Sequence, residues 1–411
     1  MVTPQVRGRE RPGSAGEGLA YDAPVRWLRR VAIGALVVVL LLVAWKPTRV
    51  ALQTAVLLPT LMDAGPQPLD WFSDEPQRSA VPYREVDGTH DLAELWLPSW
   101  ASPDRRAGAM LLVFGVNNLG RNHPVIQRVA EGLARTGVAV LVPDSRTLLA
   151  GRLEVGEIDG VVRAFELLAA RPEVDRERIG IVGFSVGGSL AILAARDGRI
   201  APEVRWVNAF GAFADAGSYL ASVSAHAYTS PDDGRAAAWT PSPLAREVYL
   251  RFVLDQVADA GDRAALEDAF GEGIRDGGRV SPDPGLRGRL ATDAGRAAHD
   301  LLTAGSLDEA RAAEATLPAD SVAFMGAISP VRHLEGLTAR VHLMHETEDP
   351  HVPFVESRTL AGALEARGLL DGYTEFRLFD HVQPDDLDLL AAAPELVKLL
   401  LHLRAVMEET L

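Results

Sequence analysis

Residues 179–188 read Ile-Gly-Ile-Val-Gly-Phe-Ser-Val-Gly-Gly. Ile179 to Val182 is a short apolar run of the kind that forms a buried strand, and Leu190 to Ala195 are strong helix formers. Between them Gly183-Phe184-Ser185-Val186-Gly187 spells G-x-S-x-G. In the order strand, G-x-S-x-G, helix, the small glycines permit a sharp turn that leaves the serine exposed on strained backbone at the edge of a sheet. The pentapeptide alone is common; its placement makes Ser185 a candidate nucleophile.

Working outward, the pattern alternates short apolar runs with amphipathic stretches. Upstream, Asp91–Pro98 alternates as an early strand, and Ala109–Phe114 is a fully apolar strand ending at Gly115-Val116-Asn117-Asn118. Pro124 opens a helix with Val125, Val129 and Leu133 on one face, and Val138–Val142 is the next strand. Ile158, Val162, Phe165 and Leu168 recur at helical spacing before Pro172. Downstream, Val204–Phe210 and Ala339–Met344 read as strands, and Tyr373–Phe379 is the last alternating run. This order predicts an α/β fold, a mostly parallel central sheet flanked by helices. Residues 211–338, about 128 of them, are patterned instead for helices: Leu244–Val257, Arg263–Phe270, Leu290–Leu302 and one opened by the capping box Ser306 to Glu309, with 271–288 as a loop. The expectation is a core over 80–215 and 338–411, interrupted over 216–337 by a large helical cap insertion above the sheet's carboxyl edge.

A serine hydroxyl is a poor nucleophile at neutral pH and needs a histidine base oriented by a carboxylate. Asp349 follows the strand Ala339–Met344, and His381 follows the run Tyr373–Phe379. Glu346 and Glu348 are alternative acids. His351 is an alternative base, only two residues from Asp349. A tetrahedral oxyanion needs two backbone donors: the Val186 N–H directly after the nucleophile, and a second from the loop after Ala109–Phe114, where Val116 is the candidate and Asn117 the alternative. His342, His345, Glu346, Asp349 and His351 also cluster in sequence, but their spacing is not H-E-x-x-H, and no metal or cofactor is expected.

With these residues in view, Val174–Gly188, VDRERIGIVGFSVGG, resembles the nucleophile region of the α/β-hydrolase superfamily, particularly its dienelactone hydrolase-like and prolyl oligopeptidase-like branches. Those branches often carry H-G-x-x-D-x-x-V-P at the acid; His345, Asp349, Val352 and Pro353 match it, with Glu346 in place of the glycine. The resemblance covers roughly 80–215 and 338–411. It implies an α/β-hydrolase fold with the chain order Ser185, Asp349, His381: nucleophile, orienting acid and base. Dienelactone hydrolases proper use a cysteine nucleophile; this chain has no cysteine, which also removes disulfides and Cys-ligated metals.

The formal charge of −15 divides unevenly. Residues 1–50 carry eight basic and three acidic side chains, while the remainder carries 33 against 53, which argues against a nucleic-acid footprint there. Residues 1–24, rich in Arg, Gly, Pro and Glu, read as a disordered tail. Arg29 and Arg30 precede the uncharged run Val31–Trp45, so 25–46 is expected to be a transmembrane signal anchor with a cytoplasmic amino terminus and an extracytoplasmic catalytic portion. Residues 47–79 are expected to be an interfacial segment and linker. The expected function is a membrane-anchored serine hydrolase, a carboxylesterase acting on a small-molecule acyl ester. The alternatives are a peptidase or acyltransferase on the same triad, and a non-catalytic binding protein on the same fold.

Overall fold

Eight strands form one sheet: β1 (Gln77–Arg84), β2 (His90–Leu97), β3 (Ala107–Val113), β4 (Ala139–Pro143), β5 (Val174–Phe184), β6 (Trp206–Phe210), β7 (Arg340–Glu346) and β8 (Leu370–Phe376). Their spatial order is β1-β2-β4-β3-β5-β6-β7-β8. β2 runs antiparallel to both its neighbours, and every pair from β4 to β8 is parallel. That order and direction are those of the α/β-hydrolase fold. The computed structural model describes residues 32–33, 45–63, 65–84, 90–277, 279–378 and 389–411.

The central strands are apolar because both faces are covered; all seven residues of β3 are buried. The covering helices are α2 (Pro124–Arg135), α3 (Gly156–Ala169), α4 (Val186–Ala195), α11 (Phe354–Glu365) and α12 (Leu389–Thr410), the last packed on β8. Every residue of α4 is buried, which its Ala/Leu-rich sequence permits without a polar face. Within β5, an added Cβ at Gly180 would sit 2.1 Å from the Trp206 ring, so the glycine makes room for the largest buried side chain of β6.

The insertion between β6 and β7 carries α5 (Ala216–Ala225), α6 (Pro243–Asp255), α7 (Ala260–Arg275), α8 (Asp293–Thr303), α9 (Leu307–Glu314) and α10 (Ala319–Ala327). It is not wholly helical: Ala227–Thr229 and Ala236–Ala238 pair as a short antiparallel hairpin. α7 also runs to Arg275, into the stretch expected as loop, with Asp259 capping its start through Asp262 N–H at 2.8 Å. Ser306 caps α9 as its sequence predicts. Cap residues such as Leu250, Val253 and Phe270 belong to the same buried apolar cluster as the sheet, so the insertion is built onto the core.

The amino-terminal side differs from expectation. β1 begins at Gln77, inside the expected linker, and its tyrosine, Tyr83, is buried with its hydroxyl donating to Asp144 O. Lys46–Met62 forms a helix, α1, in the segment expected to lie at a membrane interface. Its Leu57 is buried against α2, where Gly132 leaves room, and Gln53 Nε2 donates to Thr136 O at 2.8 Å. Of the run Val31–Trp45, only Ala32, Ile33 and Trp45 are among the described residues, so the expected transmembrane anchor lies outside them. Among the described residues no helix is long and apolar enough to cross a membrane.

Candidate active site

Ser185 joins β5 to α4 with φ 53° and ψ −130°, a left-handed-side backbone that residues bearing a Cβ rarely adopt. Two features force it. Ser185 N–H donates to Phe210 O at 2.7 Å, tying the turn to the end of β6, and Gly188 N–H returns to Ser185 O at 2.8 Å. Packing then leaves no space beside it: a Cβ on Gly183 would lie 2.3 Å from Gly187 O, and one on Gly187 would lie 2.3 Å from Val113 O. The two glycines of G-x-S-x-G are therefore required by close approach of backbone to backbone.

Val186 is the first residue of α4, where amide groups have no partner within the helix and carry its partial positive charge. The β3 exit loop lies alongside, since a Cβ on Gly115 would be 3.2 Å from Ser185 Cβ and 3.4 Å from Val186 N. Asn117 shapes that loop: its amide donates to Gly115 O at 3.3 Å and its oxygen accepts Leu119 N–H at 3.1 Å. Phe114 stacks on Phe184 with ring centroids 4.7 Å apart. Phe184 meets Phe210 and Phe210 meets Phe376, so a row of aromatic rings follows the carboxyl edge of the sheet.

Ser185, Val186, Val116 and Asn117 line one cavity of about 280 Å³ together with Tyr219, Leu244 and Val248 of the cap. The insertion thus stands over the sheet's carboxyl edge. Burial, with the charges of Asp349 and Glu356 nearby, pushes the Tyr219 phenol up, so it enters the cavity as a neutral hydroxyl.

Asp349 follows β7 as the sequence predicts. Its Oδ1 accepts the His351 N–H at 2.6 Å and the Val352 N–H at 3.3 Å, while Oδ2 lies 3.4 Å from His345 Nε2. The cap grips this loop from outside. Trp239 Nε1 donates to Asp349 O at 2.9 Å, Ser242 N–H donates to Pro350 O at 2.7 Å, and Ser242 Oγ lies 2.7 Å from His351 Nδ1. Glu346 is buried and accepts the Leu378 N–H at 2.7 Å. Thr347 N–H donates to Phe376 O at 3.0 Å, so the chain leaving β8 passes beside the acid loop. Glu348 instead pairs with Arg377.

His381 lies outside the described residues. Among the described residues, His351 and His123 line the Ser185 cavity. His123 caps α2 by accepting the Val125 N–H at 3.3 Å. The His/acid cluster of the sequence is split by the fold. His345 is buried between Ser357 Oγ and Val352 O. His342 faces Asp371 and Glu409, the three ligand atoms within 4.8 Å of one another, with the Arg340 guanidinium across both carboxylates.

The sequence matches no family model and has no significant match among curated proteins. Solved structures with a similar fold include Porphyromonas gingivalis dipeptidyl peptidase 4, at 13% identity and TM-score 0.47, over 82% of this chain and 36% of that one. Pyrococcus horikoshii acylaminoacyl peptidase is similar at 14% identity and TM-score 0.44, over 74% and 37%. DcsB, solved with its substrate analogue, is similar at 14% identity and TM-score 0.46, over 82% of this chain and 100% of its own. The chain spans little more than a third of the length of the two peptidases.

Proposed function

We propose that the chain is a serine hydrolase in which Ser185 attacks an acyl carbonyl, becomes acylated and is freed by water. The observation that supports this best is the Ser185 backbone. Holding a residue in such a sparsely populated conformation costs on the order of 1–3 kcal/mol, and folds keep that cost where a side chain must be presented in one direction. Here it presents a hydroxyl into a cavity beside two candidate oxyanion donors, Val186 N–H and Val116 N–H.

In this reading His381 takes the Ser185 proton during attack, and Asp349 orients the imidazole and stabilises its cation. The leaving group departs with that proton, and water attacks the acyl-serine by the same route in reverse. Chain geometry supports the pairing. Leu378, three residues before His381, is tied to Glu346, three residues before Asp349, and three residues span at most about 10 Å. His351 is the second candidate base, because it lines the Ser185 cavity.

The acyl compound is an amide or an ester; we propose testing peptide and acyl-amide cleavage first and carboxylesterase activity second. A p-nitroanilide and a p-nitrophenyl ester with the same acyl group, assayed with wild type and Ser185→Ala, separate the two. Turnover of at least one that vanishes in the variant is expected, and turnover that survives it overturns the proposal. The single-pass anchor over 25–46, with the body extracytoplasmic, is a further proposal resting on Arg29, Arg30 and the uncharged run after them. A reporter fused after residue 70 should be exported; one retained in the cytoplasm contradicts it.

A further inference from the structure

A second cavity, of about 330 Å³, adjoins the one at Ser185. The two share Val116, Val186, Tyr219 and Val248 as walls, so the second opens beside both candidate oxyanion donors. Beyond those four, its lining is largely apolar and comes mostly from the insertion: Leu220 of α5, Phe252 of α6, Phe324 and Met325 of α10, and Ile328, with Phe213 from the β6 exit. The Phe252 and Phe324 rings stack across it at 5.8 Å. The charged side chains that also line it, Arg152, Glu154, Arg251, Asp255 and Asp320, are all exposed, so none is a buried charge. Arg152 pairs with Asp255 at 3.2 Å, and Arg251 pairs with Glu247 at 2.6 Å and donates to Ala150 O at 2.7 Å. A charged substrate group seated among the apolar residues would lose its hydration with no buried charge to meet it, whereas an apolar one need only displace water.

We infer that this chamber holds the acyl side of the substrate, and that the enzyme selects acyl compounds whose carbonyl carries an uncharged apolar chain or ring system. A cavity of about 150 Å³ accepts a benzene ring, so one about twice as large fits roughly ten to twelve carbons. The inference rests on the serine hydrolase reading for the word substrate, but the chamber's preference is measurable without turnover.

The test is calorimetric titration of methyl n-alkyl ketones, which offer the carbonyl and chain without a leaving group, into the full chain, into Ser185→Ala and into Ile328→Trp. Burial of each methylene strengthens binding about fourfold, so affinity rises on the order of a few hundredfold from the butyl to the octyl ketone in both wild type and Ser185→Ala. In Ile328→Trp, which fills the chamber, the rise is lost. Should that variant fail to fold, Phe252→Ala, a half-buried position, enlarges the chamber and moves the strongest-binding chain to a longer one. Affinity flat in chain length, or a rise unchanged by both variants, overturns the inference even if Ser185 proves catalytic. A chain-length rise that both variants alter, in a protein that turns over no ester or amide, keeps the chamber's apolar specificity and refutes only the hydrolase reading.

Discussion

Two loops meet at the carboxyl edge of the sheet, and they are held there by different means. The Ser185 turn is held by backbone: glycines that admit no Cβ, a strand carbonyl that accepts the Ser185 N–H, and a fully buried helix behind it. The Asp349 loop is held by polar side chains, half of them from the cap: Trp239, Ser242 and His351 outside, His345 inside. Rigid sterics fix Ser185 once and for all, whereas the position of Asp349 depends on an insertion distant in sequence. The cap is therefore a wall of the Ser185 cavity and also a brace for the Asp349 loop.

The widest separation between the loops comes from Ser185 itself. Ser185→Ala is expected to lower turnover by on the order of 10⁴-fold or more, with no fall in thermal stability measured by scanning calorimetry. Ser185→Gly should be equally inactive yet more stable, by about 1 kcal/mol, because glycine adopts φ 53° without strain. A destabilised glycine variant contradicts the strain argument.

Asp349→Asn comes next. It leaves the loop's main-chain hydrogen bonds largely available but cannot stabilise an imidazolium, and a fall of about 10³- to 10⁴-fold in kcat with folding retained is expected. A mild effect would move the acid to another residue. On the steric side, Gly187→Ala drives a Cβ to 2.3 Å from Val113 O and should cost about 3 kcal/mol in urea unfolding; a cost below about 1 kcal/mol shows that the turn is softer than its packing implies.

Trp239→Phe removes one hydrogen bond to Asp349 O while keeping a ring. It should cost about 1 kcal/mol of stability and reduce kcat/KM by roughly tenfold, with little further loss of kcat/KM when it is added to Asp349→Asn. An equal tenfold loss in the Asp349→Asn background would make the cap a general support and remove its special role at the Asp349 loop.

A buried histidine on α12 supplies a pH control. His402, buried between Asn208 and Thr374, has its pKa pulled down to about 3, first by burial and then by the neighbouring His342. The unfolded imidazole takes up its proton near pH 6.5 and the folded one does not. Stability is therefore full above about 6.5 and declines as pH falls from there towards 3. His402→Gln should flatten that decline in chemical denaturation between pH 7 and 4.5, leaving the pH dependence of turnover unchanged.

Much of the core was legible because parallel strands covered on both faces are written as uninterrupted apolar runs, from Ala109–Phe114 to Ala339–Met344. The elbow was legible because sterics dictate its glycines locally. β1 was not: Pro82 and its polar neighbours break the run, as an edge strand tolerates and a central strand does not. α1 reads as apolar with interruptions, and only the notch at Gly132 shows where its buried face goes. The brace at Asp349 was illegible in principle, since a tryptophan 110 residues away carries no periodic signal. Among the cap aromatics, Phe213, Tyr219, Tyr249 and Phe252 line the chamber. Trp239 reaches the acid loop and Tyr228 packs on Phe354.

The central claim is that Ser185 is the nucleophile, and a covalent adduct tests it most directly. Cleavage after Arg178 and Arg196 by trypsin releases residues 179–196, which contain Ser185 and Ser189. After reaction of the folded chain with a fluorophosphonate, fragmentation mass spectrometry should place the adduct on Ser185, with Ser189 unmodified because it is buried and bonded to Phe213 O. An adduct elsewhere, or a folded protein that takes up none, contradicts the account.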